Sequence, residues 1–134
     1  MQKIWIGSKT MLSKDEMISH AEAWIAAWNR RDIDAVIAEF APDAVFRSPK
    51  AIQFAGESIL HGRDAIASYW SSALARVNQL QFTLISVICD PVDQSMVVLY
   101  SAEIEGVSRR ACEIFWFRDG AKLSGEALYG DFGA

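Results

Sequence analysis

The sequence predicts an α+β domain in which helices pack on one face of a mainly antiparallel sheet. Three observations predict it. Apolar residues in the first half recur at helical spacing, the period changes to two from Leu80 onward, and short turn signals rather than linkers divide the chain. With 134 residues and no internal repeat, low-complexity tract or Pro/Gly-rich linker, residues 1–134 are expected to form a single domain. Residues 1–12 are expected to be an N-terminal arm with little structure of its own.

The first helix is signalled by Ser13-Lys14-Asp15-Glu16, a capping box in which Ser13 caps and Glu16 reaches back. Met17, Ala21, Trp24, Ile25 and Trp28 then follow at i, i+4, i+7, i+8 and i+11, a single apolar stripe. Arg30-Arg31 suits the negative end of that helix's dipole. Asp32 caps a second, short helix expected to run through Phe40. Ala41-Pro42-Asp43 reads as a stop and turn, followed by a strand over 44–47 that ends at Ser48-Pro49. Residues 50–60 read as a loop with some strand character. His61-Gly62-Arg63-Asp64 turns the chain into a third helix, whose apolar face carries Ile66, Tyr69, Trp70, Ala73, Leu74 and Val77.

Strands are predicted over 80–89, 95–105, 107–118 and 121–129, broken at Asp90-Pro91-Val92-Asp93, Glu105-Gly106 and Asp119-Gly120. A two-residue turn at Glu105-Gly106 pairs Ile104 with Val107, Ala102 with Arg109, Tyr100 with Ala111 and Val98 with Glu113. Alternation then sends Met96, Val98, Tyr100, Ala111, Glu113, Phe115 and Phe117 to one face. Val97, Leu99, Cys112, Ile114 and Trp116 go to the other. Both faces are apolar in the middle, so one is expected to face helices and a pocket, the other a partner subunit.

Composition narrows the function classes. Hydrophobic residues are 51% and charged residues 22%, as in soluble globular chains. A net charge of −4 argues against a nucleic-acid partner, which needs a basic surface. No apolar run is long enough to cross a bilayer, so no membrane partner is expected. The opening MQKIWIGSKTMLSKDE is too polar-broken to read as a signal peptide. Cys89 and Cys112 form no disulfide framework and no metal spacing, which suits free buried thiols. A cytoplasmic location is expected. Neither GxGxxG nor GxxxxGK[ST] occurs, nor a GxSxG elbow, and two histidines make a metal site improbable. No cofactor is expected.

Three stretches, AWNRRDIDAVIAEFAPDAVFRSP (27–49), HGRDAIASYW (61–70) and FWFRDGAKLSGEALYG (115–130), resemble the SnoaL-like branch of the nuclear transport factor 2-like superfamily. The resemblance covers roughly residues 13–130. It implies three N-terminal helices packed on a strongly curved sheet that forms a cone with an internal pocket, often in homodimers through the outer sheet face. It says little about function, because the superfamily carries isomerases, cyclases, hydrolases, dehydratases and non-catalytic binders.

The resemblance also extends to ketosteroid isomerases. There Glu113 matches a protonated acid that hydrogen-bonds the substrate oxygen, Trp24 a tyrosine donor, and Ser48 the aspartate that moves the proton. Two of those three positions have changed, so that mechanism is not expected here. What remains is a carboxyl group in an aromatic setting, able to act as acid or base if burial raises its pKa. The other reading of Glu113 is a structural pair with Arg109, Arg47 or His61. Tyr129 is a second catalytic candidate, through a hydroxyl near the open end. Trp24, Trp28, Phe46, Ser48, His61, Trp70, Tyr100 and Phe115 are candidates to bind a small hydrophobic ligand. Three functions stay open: a cofactor-independent isomerase, cyclase or lyase on a small apolar substrate, a non-catalytic binder of a hydrophobic metabolite, and a structural dimer module.

Overall fold

The computed structural model describes residues 11–130. The arm expected over 1–12 therefore lies almost wholly outside the described residues. Its last residue, Leu12, is buried and exchanges two hydrogen bonds with the Gln94 side chain at 2.9 and 3.0 Å.

Helix α1 (Lys14–Asn29) begins at the expected capping box, with Ser13 Oγ accepting from the Glu16 amide and Glu16 Oε1 accepting from the Ser13 amide. Its apolar stripe is buried across β3. Helix α2 (Ile33–Ala38) is capped by Asp32, whose carboxylate accepts from the Ala35 amide at 3.0 Å. It stops before Phe40, which instead opens strand β1 (Phe40–Arg47). The expected turn at Ala41-Pro42-Asp43 is thus an irregularity inside a strand, where Pro42 forfeits no ladder bond.

Residues 50–60 hold more structure than a loop. A 3₁₀ turn (Pro49–Ala51) leads into α3 (Ile52–Ala55), Gly56 closes it in the left-handed conformation, and β2 (Ile59–His61) pairs with β1. Four helices stand where three were expected, the extra one a single turn. Helix α4 (Arg63–Leu74) follows directly.

The remaining strands are β3 (Leu80–Asp90), β4 (Ser95–Ile104), β5 (Val107–Arg118) and β6 (Ala121–Tyr129), close to their expected bounds. Both expected tight turns have positive φ at their two central residues, Glu105-Gly106 and Asp119-Gly120, as a primed hairpin turn requires. The β4–β5 register is the one expected, Ile104 opposite Val107 through Val98 opposite Glu113. The sheet runs β2-β1-β6-β5-β4-β3, mixed because β1 lies parallel to β6. Irregularities in β1, in β3 between Leu84 and Ser86, and at Trp116/Phe117 bend the strands, and the sheet is strongly curved but not closed.

The core lies between the helices and the concave face. Trp24 sits at its centre, edge-on to Tyr100 and Phe115 with ring centroids 5.2 and 5.8 Å away. Gly125 opposes both Phe46 and Phe115, and a Cβ there would meet those two rings at 3.1 Å. The strand has a glycine there because two aromatic rings lie against its backbone.

Candidate functional site

The concave face does not fill completely. A cavity of about 320 Å³ opens between α4, the 3₁₀ turn and the inner faces of β3 to β6. Its sheet side is lined in part by Ala102 and Ala111, small residues beside the large Tyr100. Trp28, Phe46 and Trp70 form an aromatic wall, with Trp70 edge-on to Trp28 and Phe46 at 5.5 and 5.1 Å.

Glu113 is the one acid on that lining among the described residues. Its side chain points inward because β5 alternates, sending Cys112 and Ile114 to the half-buried outer face. Tyr100 donates a long hydrogen bond, 3.4 Å, to Oε1. Oε2 is buried and finds no hydrogen-bond partner among the described residues. Burial pushes the Glu113 carboxyl from 4.5 up to about 8, against the opposing pull of the Lys122 charge and the Tyr100 hydrogen bond. At neutral pH this group is mostly protonated. Of the expected structural partners, Arg47 and His61 are exposed and off the lining while Arg109 lines the same cavity, and Lys122 is the charge that lowers the Glu113 carboxyl.

Three phenols share the lining. Tyr100, Tyr69 and Tyr129 are all raised above the usual tyrosine range, burial being the main cause and the Glu113 charge a lesser one. They stay protonated and can donate. Ser48 hydrogen-bonds the Tyr69 hydroxyl at 3.3 Å and also opposes the shift of Tyr129.

Of the expected site residues, the fold gathers Glu113, Tyr129, Trp28, Phe46, Trp70 and Tyr100 on one cavity. It does not bring the other four to the lining. Trp24 and Phe115 are buried in the ring cluster behind the wall, where helical and strand alternation alone could not separate cavity from solid core. Ser48 is fully buried beneath the tyrosines and reaches the site only through their hydroxyls. His61 is exposed at the end of β2, where the chain leaves the sheet for α4.

Sequence reasoning missed Lys50, Arg76 and Phe54, which also line the cavity. They come from the 50–60 segment and the end of α4, where no periodicity marks direction. It also missed Lys122, fully buried 3.2 Å from Glu39 and 4.2 Å from the centroid of the Phe115 ring. Strict alternation from Ala127 and Gly125 sends position 122 outward. The register skips Leu123 between the Trp116/Ser124 and Phe117/Lys122 pairs, and that extra residue turns Lys122 inward.

No described helix is long and apolar enough to cross a membrane. Among the described residues no group of three or more His, Cys, Asp or Glu side chains is placed to hold a metal ion.

Comparison with known proteins agrees with this architecture. The model of the SnoaL-like domain family matches residues 21–123. Among solved structures, a SnoaL-like protein of unknown function from Burkholderia thailandensis is 28% identical. It superposes with a TM-score of 0.80 over 90% of this chain and 99% of its own. A protein of unknown function with a cystatin-like fold from Methylobium petroleophilum is 21% identical, with a TM-score of 0.75 over 92% of this chain and 82% of its own. A hypothetical protein from Catenulispora acidiphila with a ketosteroid isomerase-like fold, in complex with trimethylamine, is 19% identical. Its TM-score is 0.66, over 83% of this chain and 85% of its own. No curated protein matches the sequence. With more than half of its length matched by the family model, the chain belongs to the SnoaL-like domain family, within the nuclear transport factor 2-like superfamily.

Proposed function

We propose that this protein is a cofactor-independent enzyme of the isomerase, cyclase or lyase type, acting on a small apolar ring compound that carries a carbonyl group. The observation that carries this reading is Glu113: a neutral, buried carboxyl on a cavity wall, with one oxygen lacking a hydrogen-bond partner among the described residues. A structural acid in a core is ordinarily satisfied on both oxygens. An unspent one beside a cavity is available to a ligand.

With its pKa near 8, Glu113 is ionised in roughly a tenth of molecules at pH 7, and the ionised form is a far stronger base than an ordinary carboxylate. It would remove a proton from the carbon next to the carbonyl. Tyr129 or Tyr100, kept protonated, would donate to the developing enolate oxygen. Return of the proton to a different carbon completes an isomerisation. Attack of the enolate carbon on a second carbonyl, whose new alkoxide oxygen takes the proton back from Glu113, completes an aldol-type cyclisation. The aromatic wall excludes water from both.

Deuterium exchange into a cyclic ketone such as 2-tetralone, followed by NMR in D₂O, tests this without the natural substrate. The protein should accelerate exchange, the rate should rise with pH through about 8, and Glu113→Gln should abolish it. Exchange no faster than in buffer, with the ketone bound, would reject catalysis. It would leave the second reading, a non-catalytic binder of a hydrophobic metabolite. That reading is favoured by the lining itself, on which Glu113 is the lone acid among the described residues and has no second carboxylate to share proton transfer.

A homodimer through the outer sheet face is part of the proposal. That face carries half-buried Leu99, Ile114 and Trp116 together with exposed Ile88 and Leu128. Sedimentation should give twice the monomer mass, and a monomer at micromolar concentration would contradict it. A cytoplasmic location completes the proposal and rests on the sequence alone.

A further inference from the structure

Lys50 lines the same cavity as Glu113 and differs from the other lysines among the described residues. Lys14 is exposed on α1, and Lys122 is fully buried with Glu39 3.2 Å away. Lys50 is half-buried, and among the described residues no carboxylate lies within ion-pair distance of its ammonium. Its Nζ lies instead 4.2 Å from the centroid of the Tyr129 ring. Burial, and after it the Arg109 charge, depresses this ammonium, so its proton leaves more readily than that of a surface lysine. An amine in that setting is a nucleophile that the acid–base chemistry above does not use.

The backbone fixes where the amine stands. Pro49 opens the 3₁₀ turn, and the Lys50 amide donates to Ser48 Oγ at 3.3 Å. Across the β5–β6 ladder Tyr129 pairs with Ala111, and Glu113 pairs with Ala127. Tyr129 and Glu113 are therefore diagonal neighbours on the concave face, roughly 7–8 Å apart along the backbone lattice. Amine, phenol and neutral acid follow one another along one cavity wall.

We infer that Lys50 is an imine-forming nucleophile, and that the carbonyl compound of this cavity is a ketone or aldehyde seated over Tyr129 between Lys50 and Glu113. This rests on the small-molecule reading proposed above and narrows its substrate class. The bonds and protons balance on two residues. The free amine attacks the carbonyl carbon, an N–C bond forms, and a proton passes from nitrogen to oxygen to give a carbinolamine. Glu113, neutral at rest, protonates the new hydroxyl, the C–O bond breaks and water leaves. An iminium ion then faces the Glu113 carboxylate. That carboxylate takes a proton from the adjacent carbon, the electron pair moves toward the iminium nitrogen, and a neutral enamine remains beside a neutral Glu113. Return of the proton to another carbon and addition of water release the product and the amine. Tyr129 keeps its donor role toward the oxygen until that oxygen departs. An ester or a carboxylate, which forms no iminium ion with an amine, is excluded as the reacting group. A cavity of about 320 Å³ stands at the small end of ligand pockets, with room for a one- or two-ring compound.

Treatment of the unaltered protein with 2-tetralone and sodium cyanoborohydride, followed by peptide mass spectrometry, tests this. The reductant fixes the imine as a secondary amine, and Lys50 should be labelled about tenfold or more faster than exposed Lys14. Equal rates at the two lysines, or no label on Lys50, would overturn the inference. In Lys50→Arg, which keeps the charge but forms no imine, deuterium exchange into 2-tetralone should fall about tenfold or more while near-ultraviolet circular dichroism is unchanged. Undiminished exchange in the folded variant would overturn the imine and leave the Glu113 reading standing. Selective labelling of Lys50 without accelerated exchange in the unaltered protein would support the nucleophile and reject the acid–base reading. Should Lys50→Arg fail to fold, the labelling ratio in the unaltered protein decides alone.

Discussion

Two buried ionisable groups, Glu113 on β5 and Lys122 on β6, sit on the same concave face and solve burial in opposite ways. Lys122 is fully enclosed and paired by charge rather than by an aligned hydrogen bond: Glu39 lies 3.2 Å away, His20 Nδ1 is 3.1 Å from the same Glu39 oxygen, and Phe115 and Phe40 offer their ring faces. Burial works against ionisation of Glu39, yet the His20 hydrogen bond and the Lys122 charge together hold its carboxyl below the usual range. Glu113 has a long hydrogen bond on one oxygen and an open cavity before it. Lys122 is the pattern of a structural ion, its interactions spent within the fold. Glu113 is the pattern of a group held in reserve for a ligand.

Lys122→Ala should have the largest effect. It opens a void beneath two rings and strands Glu39, and should cost about 3 kcal/mol or more in chemical denaturation, softened because Glu39 is partly hydrated. It should also raise the Glu113 titration further, by removing the charge that lowers it. An unchanged denaturation midpoint would place Lys122 outside the core network.

Glu113→Gln should do the reverse. Between pH 4.5 and about 8 folded Glu113 keeps a proton that its unfolded form has released, so raising the pH across this window destabilises the protein. The slope is about 1.4 kcal/mol per pH unit at most, and the cost disappears below the unfolded value. The Gln variant should match the unaltered protein near pH 4 and exceed it by a few kcal/mol at pH 8. Parallel melting temperatures across that range would mean that Glu113 is ionised when folded.

Gly125→Ala addresses what separates the two groups, since the Phe115 ring packs on Gly125 and lies beneath the Lys122 ammonium. Forcing a methyl group against two buried rings should cost about 2 kcal/mol, read as a lower unfolding midpoint. Tyr100→Phe should have the smallest effect on stability, under about 1 kcal/mol, because the bond it removes is long. The Glu113 titration should nonetheless move up, since that bond favours the ionised form.

The same contrast explains what the sequence could show. Glu113 was legible because β4 and β5 meet at an unambiguous Glu-Gly turn, and from there alternation runs unbroken to the acid. The capping box, the helical stripe and the four long strands were legible for the same reason: each rests on a local signal with a fixed period. Lys122 was not, since one skipped residue in β6 reverses its direction and nothing in KLSGEALY marks the skip. Lys50 was hidden because residues 50–60 fold by a 3₁₀ turn and one helical turn, too short to show a period. Trp24 and Phe115 reveal the remaining gap: pattern separates inside from outside, but a cavity wall and a solid core are both inside.

The central claim is that Glu113 is a neutral acid at physiological pH, facing an open cavity. Isotope-edited infrared or NMR titration of the Glu113 carboxyl, assigned by its disappearance in Glu113→Gln, measures this directly. The account predicts a midpoint near 8 that shifts when 2-tetralone fills the cavity. A midpoint in the ordinary carboxylate range, unmoved by the ligand, would contradict it.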